Sequence, residues 1–249
     1  MVFVRGARDP REVEGSLADR PLRFFPYGRE SLAVAGIDLE AKTGKADWRV
    51  GVVDATGASR SAAGRIVIRP RKFPVERLTL PTAMVDLDPE TERRALREAE
   101  RLRGLFETVS PERLWQGRFT RPVASQGEGG GFGFRRIING QQRAPHSGVD
   151  FAAERGTPVV AANRGRVALI GEFFFAGRLV ALDHGLGLYT LYFHLDRVDV
   201  SEGVLVERAE PIGVVGATGR ATGPHLHWGA QLGSARVDPL GLLSLAVSD

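Results

Sequence analysis

The residues best suited to chemistry are histidines, and all five lie in the second half of the 249-residue chain. Two short motifs stand out: HSGVD, from His146 to Asp150, and HLH, from His225 to His227. On a strand, residues at even spacing share a face, whereas on a helix residues two apart diverge by about 200°. Catalytic zinc takes imidazole nitrogen and carboxylate oxygen from three side chains and keeps a fourth position for water or substrate. The motifs therefore predict a metal site made by His146, Asp150 and one histidine of the HLH pair.

A further histidine, His194, lies in the strand-like pattern YTLYFHL. Alternation predicts that His194 faces a groove together with Thr190 and Tyr192. The residues on the other face, Leu191, Phe193 and Leu195, are predicted to face the core. A histidine on the polar face of such a strand can act as a general base or hydrogen-bond donor beside a metal-bound water. His194 is thus a candidate catalytic residue.

Composition excludes several other kinds of chemistry. The chain contains no cysteine, which rules out disulfides, thiolate zinc sites and cysteine nucleophiles. His184 ends a strand-like segment at a turn, and we predict a structural role for it. The net charge is +4, but the excess of basic residues lies in the first half and not around the histidines. We therefore expect no nucleic-acid partner.

The elements that must position these residues are mainly β. Residues 1–88 contain short strand-like segments separated by turn formers, a pattern typical of a small immunoglobulin-like β-sandwich. An acidic start with proline just inside opens a helix that runs to about Phe106, and we expect residues 89–121 to form a solvated connecting helix and linker. Residues 122–249 return to strand patterns, and we expect one all-β domain there.

No apolar run reaches the roughly 20 residues of a membrane span, so we expect no transmembrane segment. The first ten residues carry charges where a signal peptide needs its apolar segment. The abrupt start fits a chain from which an export signal has been removed.

Several motifs in the second half resemble one family in order and spacing. They are HSGVD, the DHG ending at Gly185, YFHL around His194, GATGRATGPHLHW and the closing VDP, within residues 122–239. Together they resemble the zinc-dependent peptidoglycan endopeptidases of the lysostaphin type, the M23 or LytM-domain peptidases. Some members have a tyrosine shortly before the first ligand, which this chain lacks, so transition-state stabilisation would depend more on its histidines.

The resemblance implies a site and a function. The zinc ligands would be His146, Asp150 and His227, holding one Zn²⁺ per chain, and the catalytic histidines would be His194 and His225. The expected substrate is the peptide part of peptidoglycan, cut by a metal-activated water. The all-β domain would be LytM-type, with the first domain as an accessory unit. Periplasmic or secreted localisation follows from such a substrate.

Other functions fit the pattern less well. A lipoyl-like carrier needs a modifiable lysine, which the second half lacks, and a histidine phosphocarrier does not need Asp150 beside His146. A non-catalytic cell-wall-binding or amidase-regulating module is the main alternative, although all five motif positions are intact. A further hypothesis is that a residue of the first domain occludes the zinc. In that case deletion of residues 1–88 should raise the activity, and unchanged activity would contradict it.

Overall fold

The computed structural model describes most of the chain, with small gaps. The described residues are 1–5, 7, 9–53, 57–125, 127, 129–245 and 247. They form two compact units, Met1–Lys72 and Phe73–Val247. Both units consist mainly of β-strands, which confirms the predicted fold class. In these ranges, no helix combines the length and apolarity that a membrane span requires.

Among its described residues, the first unit has seven strands in two antiparallel sheets, ordered β1-β5-β4 and β3-β2-β6-β7. The strands are β1 (Val2–Val4), β2 (Val13–Leu17), β3 (Arg20–Pro21), β4 (Phe24–Tyr27), β5 (Glu30–Ala33), β6 (Gly44–Val53) and β7 (Ser59–Ile68). Val2 and Phe24 from the first sheet pack with Val13 and Val50 from the second. The apolar faces of the two sheets thus form a shared core, as in a β-sandwich.

The second unit begins earlier than the histidine motifs. Its strands are β8 (Val75–Leu78), β9 (Arg135–Ile138), β10 (Gln141–Gln142), β11 (Gly148–Ala152), β12 (Pro158–Val160), β13 (Gly165–Phe173), β14 (Gly177–Asp183), β15 (Leu188–Val198), β16 (Leu205–Val206), β17 (Pro211–Val215), β18 (His225–Leu232) and β19 (Ala235–Val237). β8 pairs in parallel with β9. Residues 73–88, which the sequence grouped with the first domain, therefore pack with the second unit.

The predicted helix is α1 (Pro89–Glu107), and a short α2 (Leu240–Leu243) follows the last strand. The side chain of Asp88 caps α1 by accepting hydrogen bonds from two backbone N–H groups of the first turn. Leu102 and Leu105 pack against a buried cluster on β13 and β14, whereas Leu96 is exposed. The helix is thus not simply a solvated connector, because its apolar stripe is docked on the second unit.

A large antiparallel sheet carries the histidines. Its main strand order is β11-β18-β15-β14-β13-β16, and β12, β17 and β19 pair off this path. β18 lies between β11 and β15, so the two sequence motifs and the His194 strand are immediate neighbours. Trp228 and Tyr192, which are opposite each other on β18 and β15, are fully buried on the far face. This core fixes the strands from which the site side chains project.

Candidate metal centre and groove

Three side chains converge at one point on the sheet. His146 Nε2 lies 2.8 Å from His227 Nδ1. Asp150 Oδ1 lies 3.0 Å from His146 Nε2 and 2.8 Å from His227 Nδ1. A tetrahedral zinc ion, with bonds of about 2.0–2.1 Å, holds its ligand atoms roughly 3.3 Å apart. The three atoms therefore already form a triangle close to the size that a metal ion requires.

Strand register and one loop produce this convergence. Asp150 on β11 is directly opposite His227 on β18, so the two side chains share a face. His146 precedes β11, and its backbone N–H donates to the carbonyl oxygen of Phe134. Its Nδ1–H donates to the carbonyl oxygen of Gly131 over 2.9 Å. This hydrogen bond leaves Nε2 unprotonated and aimed at the other two ligand atoms.

The charge state of the cluster suits a metal ion. Burial by itself would raise the pKa of Asp150, but hydrogen bonds and charge from His146 and His227 hold it well below its ordinary range. Burial lowers the pKa of His227, although Asp150 opposes this effect. An ionised carboxylate and a neutral imidazole are the forms that bind metal. The donor set of two imidazole nitrogens and one carboxylate oxygen thus fits zinc.

Arg136 holds the carboxylate from its other side. Its Nη2 lies 3.4 Å from Asp150 Oδ2, and its Nε lies 3.0 Å from an oxygen of Glu76 on β8. The arginine therefore occupies Oδ2 and leaves Oδ1 for an ion. Contacts of this kind orient ligands and tune their charge. Neither residue was predicted from the sequence, because Glu76 on β8 is distant from the histidine motifs and Arg136 on β9 belongs to no motif that indicates a site.

His194 borders the groove because its strand is bulged, and not because of regular alternation along β15. Its backbone has φ of 63°, and the β15 pairing is irregular on both sides of it. A bulge of this kind breaks the alternation of side chains and redirects one of them. The predicted face assignment of β15 is therefore wrong for Thr190, Tyr192 and Phe193, whereas His194 borders the groove and Leu195 is buried as predicted. Thr190 and Tyr192 are fully buried, whereas Phe193 is on the groove face and stacks on His227, with ring centroids 5.0 Å apart.

His194 and His225 form a pair next to the three converging side chains. Their ring centroids are 4.7 Å apart. His194 Nδ1–H donates to the carbonyl oxygen of Thr218 over 2.8 Å, and His225 Nδ1–H donates to that of Gly223 over 2.9 Å. Burial lowers the pKa of His194 to about 3, and the charges of His225 and His227 add to this effect. The neutral ring of His194 therefore has its Nε2 available to accept a proton.

His184 lies away from this group. It is fully buried, with Nδ1–H donating to the carbonyl oxygen of Arg164 and Nε2 bonded to Thr190 Oγ1 at 2.7 Å. Burial lowers its pKa to about 4. Its ring nitrogens are both used within the protein, as expected for a structural histidine.

A groove of about 280 Å³ runs beside the three converging side chains and is bordered by His146, His194 and His227. One wall is the helix α1, and much of the lining is apolar. The apolar lining residues include Ala95, Ala99, Leu102, Phe173, Phe175 and Phe193. Arg220 also lines it and was not singled out from the sequence, although it lies within the GATGRATGPHLHW motif.

Comparison with known proteins agrees with this arrangement. Residues 144–239 match the family model described as Peptidase family M23. The chain is 40% identical over 96 residues to the peptidoglycan DD-endopeptidase ShyB of Vibrio cholerae, covering 39% of this chain and 22% of that protein. It is 42% identical over 97 residues to the DD-carboxypeptidase/endopeptidase Mpg of Neisseria meningitidis, covering 39% of this chain and 22% of that protein. The match thus spans less than a quarter of each curated relative.

One solved structure is similar over nearly the whole chain. A Pseudomonas aeruginosa crystal structure assigned to peptidase M23 is 33% identical, with a TM-score of 0.74. The similarity covers 97% of this chain and 92% of that chain. It therefore includes the first unit and α1 as well as the sheet with the histidines. From the family match and this similarity together, we conclude that the chain belongs to peptidase family M23.

Proposed function

We propose that this protein is a zinc-dependent endopeptidase that hydrolyses peptide cross-links of bacterial peptidoglycan. The observation that carries the proposal is the convergence of His146, Asp150 and His227 beside two further histidines in a groove. The substrate class is supported by the relatives, ShyB among them, which are named peptidoglycan DD-endopeptidases. We further propose that the protein acts in the periplasm or after secretion, where that substrate lies.

His146 Nε2, Asp150 Oδ1 and His227 Nδ1 would hold one zinc ion per chain. Zinc bound there supplies a Lewis acid that polarises a carbonyl group and lowers the pKa of water to about 7. Arg136 keeps the ligand carboxylate oriented through its second oxygen. The hydrogen bond from His146 to Gly131 holds that imidazole with Nε2 facing the ion.

His194 and His225 would perform the proton transfers. At neutral pH the low pKa of His194 keeps its ring neutral, with Nδ1–H donated to Thr218 and Nε2 available. The ring of His225 is oriented by a similar hydrogen bond, from its Nδ1–H to the carbonyl oxygen of Gly223. One Nε2 accepts a proton from the attacking water, and a protonated ring then hydrogen-bonds the oxyanion and gives the proton to the leaving amine. Such a positioned acid–base group contributes typically about 10²–10⁴ in rate.

The domain roles form part of the same proposal. Residues 122–249 would be the zinc peptidase domain and residues 89–121 its linking helix and connector. Of residues 1–88, we assign 1–72 to an accessory domain and 73–88 to the peptidase domain, because β8 pairs with β9. α1 contributes more than linkage, because its side chains form a wall of the groove. The groove would receive an extended peptide along this wall, next to the metal centre.

Metal content measured by plasma mass spectrometry tests the proposal, with clearing of purified peptidoglycan followed by turbidity in parallel. The wild type should contain one zinc per chain and clear the suspension. Asp150→Ala should lose both properties. Asp199→Ala is a matched control, because Asp199 is an acidic residue paired with Arg197 at the surface and should retain both.

The outcomes separate the alternatives. Zinc without clearing would indicate an occluded or partner-activated protein, or the amidase-regulating module considered above. Absence of zinc from protein prepared in excess zinc would overturn the enzyme proposal in favour of a binding module. Clearing that survives Asp150→Ala would show that the converging residues are not the catalytic centre.

A further inference from the structure

Arg220 projects into the groove from the loop between β17 and β18. Its backbone N–H donates to the carbonyl oxygen of Phe175 over 3.0 Å. Its guanidinium carbon lies 4.1 Å from the centroid of the Phe175 ring. Stacking on an aromatic ring fixes the plane of a guanidinium and leaves the N–H groups at its edge free to donate. The side chain is thus partly buried and held in one orientation.

The same loop also positions His194. The carbonyl oxygen of Thr218, two residues before Arg220, accepts the hydrogen bond from His194 Nδ1. The Thr218 hydroxyl donates to the carbonyl oxygen of Leu195 over 2.9 Å and accepts from the Arg178 backbone N–H over 2.9 Å. One short, well-bonded segment therefore places a cation and a candidate catalytic histidine at a fixed separation.

The positive charge of Arg220 lacks a countercharge within the described part of the chain. Among the residues that the structure describes, no carboxylate forms an ion pair with it. Arg136, on the same groove, is paired with both Glu76 and Asp150. Glu98, the acidic residue of the α1 wall, is used by Arg94 and by the backbone N–H of Phe174.

Burial and neighbouring cations also destabilise the positive charge of Arg220. Burial lowers the pKa of its guanidinium, and the charges of Arg136 and Arg143 lower it further. A cation partly removed from water and repelled by two others is stabilised when an anion arrives. Guanidinium groups match the planar, two-oxygen geometry of carboxylates and bind them in a bidentate manner.

We propose that Arg220 binds a carboxylate group of the substrate peptide and thereby selects peptides with a free carboxylate near the scissile bond. This inference rests on the proposed peptidase function and extends it to substrate choice. The carboxylate has two possible sources: the α-carboxylate at a peptide end, or a side-chain carboxylate beside the bond that is cut. Arg220 is a specificity residue in this account, because acid–base chemistry belongs to the histidines.

The test uses three matched, fluorescently labelled cross-linked peptides and the full chain. One peptide has both carboxylates free, one has the α-carboxylate amidated, and one has the side-chain carboxylate amidated. Cleavage is measured as kcat/KM with wild type, Arg220→Gln and Arg220→Lys. Binding is measured by fluorescence anisotropy in a His225→Ala background, which keeps the three proposed metal ligands. Arg208→Gln, at an exposed arginine outside the groove, is the control.

Arg220→Gln should lower kcat/KM and affinity for the free-carboxylate peptide roughly 10–100-fold, because hydrogen bonds to charged groups are worth about 1.5–3 kcal/mol. Most of the loss should be in KM, with zinc content unchanged. Arg220→Lys should recover part of it. Wild type and Arg220→Gln should become equal on one amidated peptide, which identifies the carboxylate that is bound.

An equal loss on all three peptides, or no loss on any, would overturn the role of Arg220. Binding keeps this result separate from the proposed function. If no peptide is cleaved but Arg220-dependent selection of a carboxylate persists in the anisotropy data, the peptidase proposal fails and the Arg220 proposal stands. If peptides are cleaved without carboxylate selection, the Arg220 proposal fails and the peptidase proposal stands.

Discussion

The Nδ1 atom of His194 donates to the carbonyl oxygen of Thr218 across 2.8 Å, and the backbone N–H of the same histidine donates to Ala176 across 2.8 Å. The ring and its backbone are therefore each tied to a different segment of the second unit. A residue at φ of 63° needs such support, because the left-handed conformation costs a non-glycine residue about 1–2 kcal/mol. The geometry of His194 consequently depends on neighbours that never touch the metal centre.

Thr218→Val should lower activity without removing zinc. Valine keeps the shape of threonine but loses the hydroxyl bonds to Leu195 and Arg178. The carbonyl group that orients His194 then becomes more mobile, and we expect kcat to fall about tenfold, in line with the loss of roughly 1–2 kcal/mol of hydrogen bonding. Kinetics with plasma mass spectrometry measures both properties. Thr218→Ser retains the hydroxyl and should have a kcat close to that of wild type. A kcat as low as that of Thr218→Val would contradict the role assigned to the hydroxyl group.

Gly219→Ala should disturb the same loop through the backbone. Gly219 has φ of 72°, and a Cβ atom there would lie 2.3 Å from the backbone nitrogen of Gly177. Because neither backbone can yield easily, we expect a lower melting temperature and a loss of activity of at least about tenfold. Gly241→Ala in α2 is the control, since a Cβ atom there meets nothing within 4 Å and the residue has no role in the groove. Equal effects of the two substitutions would contradict this explanation.

Ala95→Phe should narrow the groove at the α1 wall. Ala95 lines the groove, and a phenyl ring there occupies space that the peptide needs. We expect KM to rise about tenfold with zinc content unchanged, since one or two kcal/mol of binding is a typical cost of lost complementarity. Arg97→Phe adds the same ring to an exposed position of the helix that does not line the groove, and its kinetics should match wild type. A KM for Ala95→Phe equal to that of wild type would place the substrate elsewhere.

His184 should make the second unit sensitive to acid. Its pKa is lowered to about 4 by burial, against about 6.5 in an unfolded chain. Between these two pH values the unfolded chain binds more protons than the folded chain. The contribution of His184 to the free energy of unfolding is therefore fully present above about pH 6.5 and is lost as pH falls toward about 4. The total loss attributable to this group is about 3 kcal/mol.

His184→Gln removes the titrating group while keeping an amide that can hydrogen-bond. Urea unfolding at about pH 7 and about pH 4.5 should show a smaller decline in the free energy of unfolding for the variant than for wild type. The variant will be less stable at neutral pH, so the comparison depends on the difference between the two pH values. An unchanged difference would mean that other groups govern the acid sensitivity.

The sequence predicted that His146, Asp150 and one histidine of the HLH pair lie together, because residue types and spacing within a short motif are local properties. The choice of His227 rested on the family resemblance, and the register that places Asp150 opposite His227 is contained in neither motif. The start of α1 was predictable for a similar reason, since Asp88 and the proline after it act within one turn.

Other features depend on contacts distant in sequence. The face assignment of β15 failed because one bulged residue, His194, shifts the alternation. The docking of α1 on β13 and β14 could not be read from its leucine stripe, which fits a solvated or a packed helix equally well. Glu76 pairs with Arg136, which in turn contacts the Asp150 carboxylate, and this arrangement exists because β8 pairs with β9.

The parallel pairing of β8 with β9 has a practical meaning for anyone who shortens this protein. A fragment beginning at residue 122 would leave the backbone N–H and C=O groups along one edge of β9 unpaired. Such an edge can pair with other chains and promotes aggregation. It would also remove Glu76. Arg136 would then lose one of its two ion-pair partners and compete more strongly with a metal ion for the carboxylate of Asp150. The α1 wall would be lost as well. The smallest fragment expected to fold by itself thus starts near Phe73, some seventy residues ahead of the family match that begins at residue 144.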